Sequence, residues 1–210
     1  MSHASPTVRI ACTGAVLLCA IVPAAPASAD EAAEADEASL AMQLSNPVAA
    51  LISVPLQLNY DQDIGPADEG DRWLLNVQPV IPFDLSDDWN LISRTILPVV
   101  RQSDIFPGSD TQTGVGDVVQ SLFFSPKAPT ASGWIWGAGG AFLLPTTTED
   151  ALGGKQWAIG PTFVALKQEK EWTYGALVTQ AWSVAGDDSR DNVNMLFLQP
   201  FAGYTTKEGW

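Results

Sequence analysis

Residues able to carry reaction chemistry are few in this chain. The single histidine, His3, and both cysteines, Cys12 and Cys19, all lie upstream of Ala20. Acyl transfer and hydrolysis usually need a histidine beside a serine or thiol nucleophile. No histidine follows His3, so that route is closed to the rest of the chain. Paired carboxylates could hydrolyse a glycosidic bond. The acids here stand in polar runs, however, with nothing to raise the pKa of one of them. No enzymatic activity is expected, and no cofactor. Zinc, haem and thiol chemistry lack their ligands. Oxygen ligands remain: Asp187-Asp188 with Asp191 could hold calcium or bridge a divalent ion to lipopolysaccharide. Solvated loop acids are the simpler reading of that trio. Gly114-Val-Gly-Asp117 has the glycine spacing of a phosphate loop but lacks the lysine and the following helix. It reads as a turn entering a strand.

What remains is binding chemistry from neutral amides and hydroxyls. Gln57, Asn59, Asn76, Gln78, Asn90, Arg94 and Thr179 fall on the polar phase of strand-like blocks. If they line a lumen, it is wet but weakly charged, which suits a small, weakly polar solute. Ten basic residues against 24 acidic ones give a net charge of −14. Nucleic acid is excluded as a partner, because little is available to neutralise phosphates.

The elements that must position these residues begin after an export signal. Arg9 gives a thin positive start, and Ile10 to Val22 is mostly apolar. Pro23 and Pro26 break that run, and Ala27-Ser28-Ala29 fits the small-x-small cleavage pattern. Residues 1–29 are therefore expected to be a signal peptide, and a lipoprotein role for Cys19 is poor because Leu18 precedes it. Residues 30–46 read as an acidic leader (Asp30 to Glu37) with a short helical turn at Ser39 to Leu44, ended by Asn46-Pro47. Residues 47–210 read as one β domain. No apolar run in it reaches the roughly 18 to 20 residues of a transmembrane helix.

Period-two alternation dominates from Leu51. Ile52, Val54, Leu56, Leu58 and Tyr60 share one face; Ser53, Pro55, Gln57, Asn59 and Asp61 share the other. Trp73, Leu75, Val77, Pro79, Ile81 and Phe83 oppose Arg72, Leu74, Asn76, Gln78, Val80 and Pro82. Further blocks run near 88–98, 114–126, 134–145, 156–167, 172–184 and 193–206. In the fifth, Trp134, Trp136, Ala138, Gly140, Phe142 and Leu144 share a face. Short connections (Ser86-Asp87, Ala128 to Gly133, Gln168 to Glu171) alternate with long ones (Gln62 to Asp71, Val99 to Thr113, Thr146 to Lys155, Ala185 to Asn192). An up-and-down transmembrane barrel sorts its loops in this way; a soluble sandwich has no reason to.

Tryptophans mark the strand ends. Trp89, Trp134, Trp172 and Trp210 each follow a short polar turn, and Trp73 and Trp157 follow long loops. Two such rows read as the aromatic girdles of a membrane barrel, with core tryptophans of a soluble β protein as the alternative. Pro55, Pro79, Pro161 and Pro200 lie inside the blocks and cannot donate to a ladder. Bulges are expected at Gln78-Pro79 and Gln199-Pro200.

Several motifs occur in order: Gln43-Leu-Ser-Asn-Pro-Val-Ala-Ala-Leu-Ile-Ser-Val-Pro55, Asn76-Val-Gln-Pro-Val-Ile-Pro82, Asp88-Trp-Asn-Leu-Ile-Ser-Arg-Thr-Ile-Leu-Pro98, Gly116-Asp117, Phe124-Phe-Ser-Pro-Lys127, Trp182-Ser-Val-Ala-Gly-Asp187 and Leu198-Gln-Pro-Phe201. Over about residues 40 to 210 the chain resembles the transporter-like outer-membrane family grouped as "MetA-pathway of phenol degradation" proteins, sometimes mislabelled neuromedin U. The resemblance implies a barrel of around a dozen strands, associated with uptake of aromatic or other hydrophobic compounds. No binding or catalytic residue is defined for that family.

The expected fold is thus all-β, an antiparallel up-and-down transmembrane barrel. About eight strands of a probable 10–12 are present, since such barrels close on even strand counts. Trp210 would begin a ninth strand, so the chain reads as truncated at its C-terminus. The expected function is an outer-membrane channel or porin-like transporter. The alternatives are a structural or binding barrel with a plugged lumen, and a soluble periplasmic β protein. Expected partners are outer-membrane lipid and lipopolysaccharide, the barrel-assembly machinery and a small-molecule solute.

Overall fold

The computed structural model describes residues 15–18, 30–106 and 108–206. Among them is one helix, α1 (Asp30–Leu44), with β1 (Ala15–Leu18), β2 (Leu56–Ile64), β3 (Gly70–Val77), β4 (Val80–Asp84), β5 (Trp89–Ser103) and β6 (Gln112–Val115). The remaining strands are β7 (Val118–Pro126), β8 (Trp134–Leu144), β9 (Gln156–Glu169), β10 (Trp172–Gly186) and β11 (Asn194–Tyr204). They form one antiparallel sheet that curls into a half-barrel. β3 and β4 are two halves of one interrupted span on one side of β5, and β6 and β7 are two halves of another on its other side. After β1 the sheet therefore has eight spans in up-and-down order. The all-β antiparallel class expected from the alternation is the one the chain adopts.

Two N-terminal features differ from expectation. α1 reaches back to Asp30 and takes in the acidic run, not Ser39 to Leu44 alone. Alanine and glutamate are strong helix formers, so the run extends the helix where a solvated leader was expected. The helix stops where Ser45 Oγ donates to Met42 O at 2.7 Å, Asn46 Oδ1 accepts from Val48 N at 2.9 Å and Pro47 cannot continue. Ala15–Leu18, from the apolar run of the expected signal peptide, pairs antiparallel with Leu56–Asn59 and covers the outer edge of β2. His3, Cys12, Cys19 and Trp210 lie outside the described residues.

The register gives the sheet two faces of opposite chemistry. Along β9, Gln156, Ala158, Thr162, Val164 and Leu166 are buried, while Trp157, Ile159, Pro161 and Phe163 are exposed. Cross-strand pairing carries the division from strand to strand. Val164 meets Gly137 and Leu177, and Phe163 meets Ala138 and Val178. The buried face is the inner one. A strap, Ser45 to Pro55, runs along it from α1 to β2, and Val48 packs there among Val80, Ile92, Phe123, Val164, Leu166 and Leu177. Gly137 permits the approach: a Cβ there would lie 3.2 Å from Val48 Cγ1.

The ladder breaks where proline or glycine dictates, though not as expected at Gln78-Pro79 and Gln199-Pro200. Val77 pairs with Leu97 and Val80 with Arg94, three steps on each strand, so Pro79 interrupts the ladder without a bulge. Its carbonyl still accepts from Thr95 N at 3.0 Å, which holds the register. Gln199 and Pro200 pair regularly with Leu177 and Ala176. β11 has a neighbour on one side only among the described strands, so a missing N–H on its other side interrupts nothing. A real bulge lies at Gly116-Asp117: Val115 to Val119 is four steps, but their partners Val99 to Ile96 are three. Others lie between Ser183 and Ala185 and between Asp61 and Ile64.

Adjacent phenylalanines test the division. Phe123 is fully buried inward and Phe124 is 52% exposed outward. Phe123→Ala is expected to cost about 3–5 kcal/mol of unfolding free energy and Phe124→Ala under about 1 kcal/mol. Urea denaturation of the refolded protein measures both, and equal costs would contradict the assignment of faces.

Candidate functional site

The inner face of β2 to β5 carries a linked row of polar side chains. Arg94 Nη2 donates to Gln78 Oε1. Gln78 Nε2 donates to Gln57 Oε1 at 2.9 Å, and Gln57 Nε2 donates to Asn59 Oδ1 at 3.2 Å. Alternation puts all four on one face, and the antiparallel register brings them side by side from three spans. Gln78 and Asn59 are buried. Each amide donates to the next, so the orientation of every member is fixed by its neighbour.

The other expected lumen residues share the face but not the row. Asn76 stands opposite Gln57 and Pro98 and is half-buried. Asn90 is buried nearer the short-turn end, opposite Asp84 and Ser125. Thr179 lies across the curl on β10, where its hydroxyl sits 2.7 Å from that of Thr162. Arg72 is paired: its Nη2 lies 2.9 Å from Asp61 Oδ2 across the β2–β3 ladder.

A cleft of about 240 Å³ opens beside the row. Arg94, Gln78 and Gln57 form one wall, Leu177 and Thr173 of β10 with Gln199 and Phe201 of β11 form another, and Leu44 to Pro47 closes one side. The hydroxyls of Ser45 and Thr173 lie 3.1 Å apart, with Ser45 Oγ accepting, and Gln168 Nε2 donates to Met42 O at 2.7 Å, tying the end of α1 to β9 and β10. Sequence reasoning missed the strap, Thr173, Gln199 and Phe201 as cleft residues. Alternation from Trp172 would have placed Thr173 inward. The strap is a long-range contact with no local signal.

The tryptophans lie on the outer face. Trp73, Trp89, Trp134, Trp157 and Trp172 are each about two-fifths to one-half exposed, and Trp182 joins them. At the short-turn end Trp89 meets Trp136 edge to face at 6.0 Å, Trp134 meets Tyr174 at 6.3 Å and Trp172 meets Tyr204 at 5.2 Å. At the long-loop end Tyr60 and Trp73 lie 4.5 Å apart. Outer positions between the rows are mostly apolar, with polar groups at Ser93, Thr95 and Gln120 and at Gln180, which donates to Asn194 Oδ1 at 2.9 Å. Gln120 accepts from Thr95 Oγ1 at 2.6 Å and donates to Ser93 Oγ at 3.0 Å. Among the described residues no helix is long and apolar enough to cross a membrane.

The acids work locally. Asp117, at the bulge, accepts from Thr147 N at 3.2 Å and Gly154 N at 2.7 Å, and so pins the long loop after β8. That replaces the turn-only reading of Gly114 to Asp117. No three acids among the described residues come together as a metal-holding group, so Asp187, Asp188 and Asp191 do not converge. Asp187 is engaged by Ser189, whose Oγ and N donate to it at 2.6 and 2.9 Å and hold its carboxyl below the usual aspartate range. The hydrogen bond and charge of Lys155 do the same to Asp150. Arg190 Nη2 donates to Asp150 O at 2.9 Å, so the two loops are joined.

No protein-family model, curated protein or solved structure matches the chain.

Both aspartates are held low in the folded loops. Their contribution to loop order is therefore present above the ordinary aspartate pKa of about 4 and lost as pH falls through the folded value. A nitroxide at position 188 should be ordered at neutral pH and gain mobility as pH drops below about 4. Asp187→Ala should make it mobile throughout. Mobility that is independent of pH down to about 2 would contradict this.

Proposed function

We propose that the chain is an exported barrel of the bacterial outer membrane, acting as a channel or porin-like transporter for small, weakly polar solutes. The observation that carries the reading is the opposition of the faces. Outward positions are exposed and mostly apolar between two rows of aromatic residues, while the inner face joins a hydrocarbon core to a row of hydrogen-bonded amides. A water-soluble β protein buries its apolar face and shows water the polar one. An exposed outer face that is also apolar, with tryptophan at both margins, suits a lipid surround. The ordered motifs shared with the outer-membrane transporter-like family support the same reading, and uptake of aromatic or hydrophobic compounds follows from that resemblance. Lipid and lipopolysaccharide are then the surround, the barrel-assembly machinery inserts the chain, and residues 1–29 direct its export.

A barrel with a plugged lumen is favoured by one observation, the strap with Val48 buried on the inner face. The inner face then serves binding or structure, not passage.

Planar-bilayer recording of the full chain separates the two. Discrete conductance steps in the unaltered protein are expected of the channel. Silence in the unaltered protein with steps in Val48→Asp would indicate the plug. Silence in both, with a product that fractionates as purely soluble and shows no heat-modifiable gel mobility, would overturn both.

A further inference from the structure

Among the described residues, Arg94 is the cation on the inner face without an acidic partner. The four ion pairs among the described residues use Arg72, Lys127, Lys155 and Lys167. A guanidinium has five N–H donors, and among the described residues the side chain of Arg94 gives one hydrogen bond, to Gln78. The rest of the group borders the cleft formed with β10, β11 and the strap. Much of that cleft is apolar: Pro47, Pro55, Val80, Leu177 and Phe201 line it. A charge beside apolar walls and with no counter-ion is expensive to keep dry. Its geometry is nonetheless fixed, because Gln78 is itself held by Gln57.

We propose that this cleft is a binding site for a small apolar monocarboxylate, with Arg94 taking the carboxylate and the Pro55, Leu177 and Phe201 side taking the hydrocarbon. A planar guanidinium matches a carboxylate with two parallel hydrogen bonds. One unpaired positive charge calls for one negative charge, so a phosphate dianion would be left half-neutralised. The cleft, at about 240 Å³, has room for a small ligand only. That is a single ring or a short chain bearing one acid group. The site deepens the proposed function, on which it rests: it gives the inner face a preference among the small solutes that the lumen admits.

The test uses the full chain refolded in detergent and checked for heat-modifiable mobility, with benzoate and benzyl alcohol as probes in isothermal titration. The two probes share a ring and differ in charge. Benzoate is expected to bind at least about tenfold tighter than benzyl alcohol, the scale of a charge-assisted hydrogen bond. Arg94→Gln should remove that advantage and leave benzyl alcohol unchanged, while Arg94→Lys keeps part of it. The preference measured in the unaltered protein stands even if a variant does not fold. Equal binding of the two probes, or benzoate binding untouched by Arg94→Gln, would overturn the role of Arg94 while leaving a solute-binding lumen in place. If neither probe binds the folded protein, the solute reading of the inner face falls with it.

Discussion

Slipping one strand by a single residue would exchange its two faces, so everything here depends on register. Gln78, Gln57 and Arg94 meet because Gln57 stands opposite Asn76, and Val80 opposite Arg94, in unbroken phase across Pro79. Had Pro79 brought a bulge, β4 would have shifted by one residue against β5 and Val80 would not stand opposite Arg94. The register is pinned instead by bonds that proline does not lose, among them the carbonyl of Pro79 accepting from Thr95. Where the sheet does take an extra residue, at Gly116-Asp117, a small side chain is required. A Cβ on Gly116 would come 3.1 Å from both Leu152 O and Pro98 Cγ. The extra residue, Asp117, then turns its carboxylate onto the loop beyond β8. One backbone irregularity thus anchors a loop.

The inner face is shared between two chemistries. Toward β7 to β10 it is a hydrocarbon core centred on Phe123, Val164 and Leu166, which the strap completes through Val48. Toward β2 to β5 it is a row of amides ending on a guanidinium. The cleft lies where the two meet, which gives it an apolar wall and a polar one. Close packing behind the apolar wall needs small residues. A Cβ on Gly139 or Gly160 would collide with the carbonyl oxygen of Leu122 or Gln180 on the next strand. The glycines that weaken these strands in isolation are what lets neighbouring backbones close up.

Much of this was legible in the sequence because the signal is local and repeats every second residue. Trp73 to Phe83 and Ile52 to Tyr60 declare their faces by alternation alone, and the inward placement of Gln57, Asn59, Asn76, Gln78, Asn90, Arg94 and Thr179 follows from it. Proline was misread at Pro79 and Pro200 because the sequence does not say which side of a strand its missing N–H faces. The reach of α1 back to Asp30 was missed because charge was weighed above helix propensity. The strap, and with it the cleft, depends on residues far apart in the chain, such as Ser45 with Thr173, and no local pattern records that meeting.

On the proposed reading the outer face meets lipid and the inner face does not. Spin labels placed singly from position 156 to position 167 of the full chain in liposomes test this. Collision with oxygen should peak at 157, 159, 161, 163 and 165, with the labels between them shielded and packed. Peaks at the even positions, no period of two, or ready access of a water-soluble relaxant to the odd positions would contradict it.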